Sequence, residues 1–437
     1  MKKIIYTIVI SALTFGCTID EQVNPNALPL DDVLNNATER DLNFLVNGIL
    51  SDMRNSYAIW VTSSGTLSRE LYLFDADPRN TTDLIGTTGS LSNSAFYTGA
   101  NWTARYRVIK NCNIMLQALP NAATVSDVKK DAYSAFAKTI QAHQFMILWS
   151  AYFDSGVRLD VIDPDDLGPL VTTPSTVLTY VRTLLDEAYT DLAGSDMSGM
   201  NLQLGFTNFD SPTTFGEFNR ALAARAALYD GDNAGARTAL AASFMDLIGD
   251  LSIGPKMIYS NSGGDLLNDL FKTPGQNGNQ IVASDTWINE AQGGDSRVTS
   301  KVASRTNPTV KSGISAAYET RLYESSTSSI DIIRNEELLL IYAEANIGFD
   351  NVEALAGINA VRSAASLTPL AGTVTIDDVL TERRYSLWGE GHRMVDLRRT
   401  GNLNDTYVTL DNIVVDGNPV TQIIYTKFPV PQVETGF

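Results

Sequence analysis

Cysteine and histidine are almost missing from this chain, with two of each in 437 residues. Cys17, Cys112, His143 and His392 are too few and too scattered for a disulfide framework or a Cys/His metal centre. Cationic side chains are also short: 32 Lys and Arg stand against 50 Asp and Glu, a net charge of −18. That balance excludes nucleic acid as the main partner, because phosphate binding needs a basic face. It suits a neutral or cationic ligand. Carboxylates could hold calcium, but DVIDPDDLG (160–168) lacks the spacing and the terminal bidentate Glu of a calcium loop. No metal and no cofactor is expected. Beyond the first seventeen residues no run is long and apolar enough to span a bilayer.

What is present begins with a leader. In MKKIIYTIVISALTFGC, Lys2 and Lys3 form a basic start, Ile4 to Phe15 an apolar run, and Gly16-Cys17 the end. A Cys directly after a small residue at this place looks like a bacterial lipoprotein cleavage site, with Cys17 as the lipidated first residue. Residues 1–17 are therefore read as a signal peptide, 18–37 as an extended Pro/Asn-rich tether, and 38–437 as a single domain. The body of the protein is exported, soluble, and held to a membrane by acyl chains.

Within that domain the dominant period is helical. It recurs in 39–54, 101–119, 128–153, 176–192, 216–231, 233–248, 334–348, 351–365 and 376–391. Gly231-Asp232 alone separates two of these segments, which marks a tight helical hairpin. Alanine-rich stretches such as LAARAALYDG and IYAEANIG let paired helices approach closely. The pattern resembles tetratricopeptide helix pairs. The expected fold is mainly α, with such pairs in a superhelical arc and little strand. Two stretches, about 57–100 and 249–330, lose the period and read as long irregular loops, too long to be mere connections.

The stretch LTERRYSLWGEGHRMVDLRRTG (Leu380 to Gly401) packs five arginines and three carboxylates into 22 residues. Opposite charges alternate around a helix stop made by Gly389 and Gly391. This reads as a set of guanidinium–carboxylate pairs that bolt one segment to another, with no positioned nucleophile.

The same stretch resembles the C-terminal signature of the SusD/RagB family, E-R-x-x-E-L-x-x-E-G-x-R-x-x-D-L-x-R. Glu382, Arg383, Leu387, Glu390, Gly391, Arg393, Asp396, Leu397 and Arg399 stand at matching places, while Ser386 replaces the usual Glu. EELLLIYAEANIG, INAVRSAA, WTARYRVIKNCN and FPVPQVE are similar to further family segments in the same order. The resemblance implies a non-catalytic outer-membrane surface lipoprotein that captures a nutrient, most often an oligosaccharide. It also implies a SusC-like TonB-dependent transporter as partner, for which the protein acts as a lid. Peptide capture is the alternative within that role, and a surface glycan-degrading enzyme the alternative outside it.

Glycan sites lay sugar CH faces on aromatic rings and bind hydroxyls with polar side chains. The two irregular stretches hold such groups, and Trp60, Arg79 and Trp287 are the candidates for ligand contact. Glu382, Arg383, Glu390, Arg393, Asp396 and Arg399 are candidates for the ion pairs of the fold. Trp102, Trp149, His143 and Cys112 lie on helical patterns and are expected in the core.

Overall fold

The computed structural model describes residues 30–415 and 417–435. The leader, Cys17 and most of the tether lie outside them. The last part of the tether, expected to be extended, is a helix, α1 (Leu30–Asn36), with Val33 buried. Chain order continues with α2 (Glu39–Asp52), α3 (Tyr57–Leu67), α4 (Phe96–Ala118), α5 (Asp127–Tyr152), α6 (Pro174–Asp191), α7 (Pro212–Tyr229) and α8 (Asn233–Ala241). Two short helices, α9 (Asp285–Asn289) and α10 (Ser296–Lys301), precede α11 (Asn335–Ala345), α12 (Asn351–Ala364), α13 (Ile376–Ser386), α14 (Arg393–Arg399) and α15 (Gln432–Thr435).

Helices start where the sequence supplies a capping box. Thr38 with Asp41 opens α2, Ser211 with Thr214 opens α7, and Thr375 with Asp378 opens α13. Successive helices then pack on one another from α4 through α8, and α11 packs on α12 and back onto α8. Small residues set the spacing. On α7, Ala221, Ala224 and Ala226 are fully buried. Gly357 on α12 lies so close to α11 that a Cβ would sit 2.8 Å from the Leu339 carbonyl.

The two stretches expected as irregular are not loops throughout. Residues 57–100 contain all of α3 and the strand β1 (Leu71–Phe74). Residues 249–330 contain β2 (Gln280–Ala283), β3 (Val302–Lys311) and β4 (Ile314–Thr320). These four form one antiparallel sheet in the order β1-β2-β4-β3, with Tyr72 opposite Val282 and Val282 opposite Glu319. The ladder between β3 and β4 slips between Ser304 and Thr309, where Pro308 withholds its N–H on an edge strand. Alternation divides the sheet. Leu71, Ile281 and Ala283 face the main helical core, while Tyr72, Phe74, Val282 and Ile314 form a second core with Ile85 and Ile413.

The arginine-rich stretch sits between these parts. Arg383 Nε donates to Asp396 Oδ2 at 2.7 Å, and Arg399 reaches both Asp396 (3.0 Å) and Glu344 on α11 (2.8 Å). Glu382 takes Arg297 of α10 (2.7 Å) and Arg362 of α12. Glu390 takes Arg334, just before α11. These pairs tie five helices together. Arg393 departs from expectation: it makes no hydrogen bond or ion pair with any described residue, because its side chain turns into a separate cavity that it lines with Arg384 and Tyr407.

Gly391 shows why the turn in this stretch is glycine. Its φ is +81°, and a Cβ there would meet ring carbons of Trp60 at 2.7 Å. Gly391→Ala is therefore expected to lose about 2–4 kcal/mol, part from the left-handed backbone and part from overpacking. Urea unfolding of the variant checks this, and an unchanged midpoint would count against the packing described.

Candidate functional site

A trough runs along the outer side of α4. Gly99, Ala100 and Ala104 are small and follow the helical period with Thr103 and Arg107. Facing them are Asn55 and Ser56 from the turn between α2 and α3, and Asn93 and Ser94 before α4. Together with α15 these enclose a cavity of about 560 Å³. Its wall mixes amides and hydroxyls with small apolar residues, and Arg107 makes no ion pair within 4 Å among the described residues. Behind it Asp52 accepts from Asn55 (2.8 Å) and Asn111 (3.0 Å). Partial burial raises the Asp52 carboxyl above its usual range, opposed by Arg107.

Thr103 and Val433 also line a second, more apolar cavity of about 450 Å³ farther along the helix. Trp102, Tyr106, Asn113 and Arg158 contribute to it. Tyr106 is half-buried, and its hydroxyl donates to the Arg158 carbonyl at 3.0 Å while accepting the Arg158 N–H at 2.7 Å. Arg158 in turn pairs with Glu434 at 2.6 Å, and Trp102 Nε1 donates to Glu434 at 3.1 Å. Both rings are thus fixed before any ligand arrives. From Gly99 to Gln117 the helix rise makes the trough about 27 Å long.

Next to the polar end stands Arg79, in the turn Pro78–Asn80. Asp77 accepts the Arg79 N–H at 3.0 Å and pairs with its guanidinium at 2.5 Å. That bonding holds the Asp77 carboxyl below its usual range. The guanidinium lies 5.0 Å over the ring of Phe96, the first residue of α4. The hairpin turn between β3 and β4 meets this loop, with the Ser312 and Thr81 hydroxyls 2.9 Å apart and Lys311 4.0 Å from Asp75. The two long stretches do converge here.

The two candidate tryptophans do not. Trp287 is 0 % exposed, 5.1 Å from Trp388 and 5.2 Å from Tyr385, with Nε1 donating to the Arg384 carbonyl. Trp60 is 7 % exposed, on α3, edge-on to Tyr57 and pressed under Gly391. Both were expected as exposed loop rings and both are core rings, because the stretches that carry them are ordered helices. Trp102, Trp149, His143 and Cys112 are buried. Sequence reasoning missed Thr103, Tyr106 and Arg107 as site residues. The signal was the row of small residues from Gly99 to Ala104, obscured by starting α4 five residues late.

Comparison with known proteins gives the following. The sequence profile of the SusD family matches residues 226–433. No curated protein matches the sequence. Among solved structures, the chain is similar to surface glycan-binding protein A from Bacteroides thetaiotaomicron in complex with laminarihexaose, at 16 % identity and a TM-score of 0.68. That likeness covers 92 % of this chain and 98 % of the other. Surface glycan-binding protein A from Bacteroides uniformis is similar at 17 % identity and a TM-score of 0.69, covering 91 % and 97 %. A SusD-like carbohydrate binding protein from Bacteroides vulgatus gives 17 % and 0.60, covering 83 % and 84 %.

Proposed function

We propose, on the match of residues 226–433 to the SusD family profile, that this chain is a cell-surface lipoprotein that captures oligosaccharides without chemically altering them. It is anchored to the outer membrane through Cys17 and hands its ligand to a SusC-like TonB-dependent transporter. The observation that carries this reading is the trough along α4: elongated, edged by amides and hydroxyls, with the half-buried ring of Tyr106 already held in place. A chain of sugar rings needs that combination, a flat apolar surface for CH faces and many neutral hydrogen-bonding groups for hydroxyls. Arg79 on Phe96 extends the surface at the polar end. The likeness to a protein solved with laminarihexaose agrees with the ligand class.

The test is affinity electrophoresis of the protein from Thr18 onward against a panel of neutral polysaccharides. Retardation on at least one is expected, with affinity reduced about tenfold in Phe96→Ala or Tyr106→Ala through loss of ring stacking. Incubation should release no reducing ends. Retardation that survives both substitutions would move the site off α4. Binding of peptides and of no glycan would replace the ligand class.

A further inference from the structure

A third cavity, away from the trough, carries a different chemistry. It holds about 260 Å³ between the end of α3, α9, α13 and the segment after α14. Arg69, Arg384 and Arg393 line it with a single carboxylate, Glu290. On a chain with a net charge of −18, a wall two charges positive is out of character.

The three guanidinium groups differ in how far they are answered. Arg69 is buried and spends its N–H groups on the carbonyls of Thr66 (2.8 Å) and Ile85 (2.9 Å) and on Gln422 (3.1 Å), with no carboxylate within 4 Å among the described residues. Arg384 pairs with Glu290 at 2.5 Å. Arg393 has no hydrogen bond or ion pair at all among the described residues. The nearby carboxylates are engaged elsewhere: Glu70 accepts the Gly389 N–H (3.1 Å), and Asp396 lies between Arg383 and Arg399. Burial and then the neighbouring Arg384 push Arg393 down to about 10. A desolvated, mutually repelling pair of guanidinium groups facing an open cavity is short of one anion.

The rest of the wall is not that of a bare ion site. Tyr407 stands at the rim, 40 % exposed, its hydroxyl bonded to Asp377 at 3.2 Å. Thr286, Thr381 and Thr409 add hydroxyl groups. An exposed ring beside hydroxyls and planar cation donors fits a ring-shaped, hydroxylated anion, and the volume fits one residue of it.

We infer that this cavity is a subsite for an acidic sugar residue, a uronate whose carboxylate sits between Arg393 and Arg384 while its ring lies against Tyr407. The inference rests on the glycan-capturing reading above and narrows its substrate class to glycans bearing carboxylate groups.

The experiment is isothermal titration of the protein from Thr18 onward with three probes at low salt: an oligogalacturonate, a neutral oligosaccharide of equal length, and the sulfated form of that neutral sugar. The oligogalacturonate is expected to bind at least tenfold tighter than the neutral probe, with the advantage shrinking as salt is raised. Arg393→Gln should abolish the advantage. Arg384→Gln, at the rim, should reduce it and serves if Arg393→Gln proves unstable. Equal binding of neutral and acidic probes, or an advantage that both substitutions leave intact, overturns this inference while glycan capture stands. Stronger binding of the sulfated probe than of the oligogalacturonate overturns the uronate assignment. Binding of none of these sugars, with none in the polysaccharide panel, overturns both.

Discussion

Asp396→Ala is expected to cost about 3–5 kcal/mol of folding stability, read from urea unfolding at pH 7. Asp396 is buried and answers two arginines: Arg383, 1 % exposed in its side chain, and Arg399. Burial by itself would raise its pKa, but the two guanidinium groups outweigh that and hold it down to about 2. Removing the carboxylate leaves Arg383 buried without its counter-ion. A charge abandoned in the core costs more than the pair contributes when intact, since desolvation offsets much of the attraction. Glu344 still holds Arg399, so the loss falls mainly on Arg383 and on the joint between α13 and α14. A cost below 1 kcal/mol would show that Arg383 finds another partner and that the joint is not held as described.

The buried histidines should contribute stability that acid begins to remove near pH 6.5, and two buried carboxylates a further contribution lost at lower pH. Glu70, whose carboxyl burial pushes up to about 7, works in the opposite sense between about 7 and 4.5. Both histidines are buried close to one cluster that includes Arg225 and Glu337. Burial pushes His392 down to about 4, with Glu337 opposing and Arg225 and Arg383 adding to the depression. Burial likewise holds His143 well below its usual range. The unfolded chain takes up these protons near 6.5, while folded His392 does not until about 4. Between those values the unfolded state binds more protons at this site, so the histidine contribution is full above 6.5 and declines as pH falls. His392 alone accounts for about 3 kcal/mol of the decline. The contribution lost at lower pH belongs to Asp396 and Glu337, both held down to about 2 despite burial, Glu337 chiefly by Arg225. Their contribution is present above the usual carboxylate range and is lost as pH falls from about 4 toward 2. Unfolding free energy measured from pH 8 to 3 tests the sign. His392→Gln should reduce the histidine contribution and leave that of the two carboxylates. A His392→Gln variant whose stability changes between pH 6.5 and 4.5 just as the unaltered protein's does would contradict a neutral, buried His392.

The long amphipathic helices could be read from the sequence because each buries one face, and period then reveals structure. The helix Tyr57–Leu67 could not. YAIWVTSSGTL sets six apolar residues among four Ser and Thr with no amphipathic period, and nine of its eleven residues are buried. Four hydroxyls here, on Thr62, Ser64, Thr66 and Ser68, each donate to the carbonyl four residues back. A helix buried all round has no polar face, and one rich in Ser and Thr has no apolar face to betray it. The sheet strands were hidden for a related reason, since pairing partners lie some 200 residues apart, as Leu71 does from Ala283. That error carried over to Trp60 and Trp287, placed on loops by the same reading. Arg79, unlike the two tryptophans, does stand in a turn, Pro78–Asn80, within the stretch read as irregular. Arg393 matched a motif by position, and a motif does not say which way a side chain turns.

The segment from Phe428 to Glu434 crosses back to the opening helices. The Phe428 N–H donates to the Ala151 carbonyl, that of Gln432 to Asn93, and Glu434 receives Trp102 and Arg158. Such contacts span some 270 to 340 positions of chain. Stacked helical repeats assemble progressively, each pair settling on the one before. Here the early helices stay incomplete until residues 428–434 are available, so closure comes late and carries a large loop-entropy cost. Because Pro431 to Glu434 wall both cavities of the trough along α4, the candidate site is itself among the last parts of the molecule to be completed.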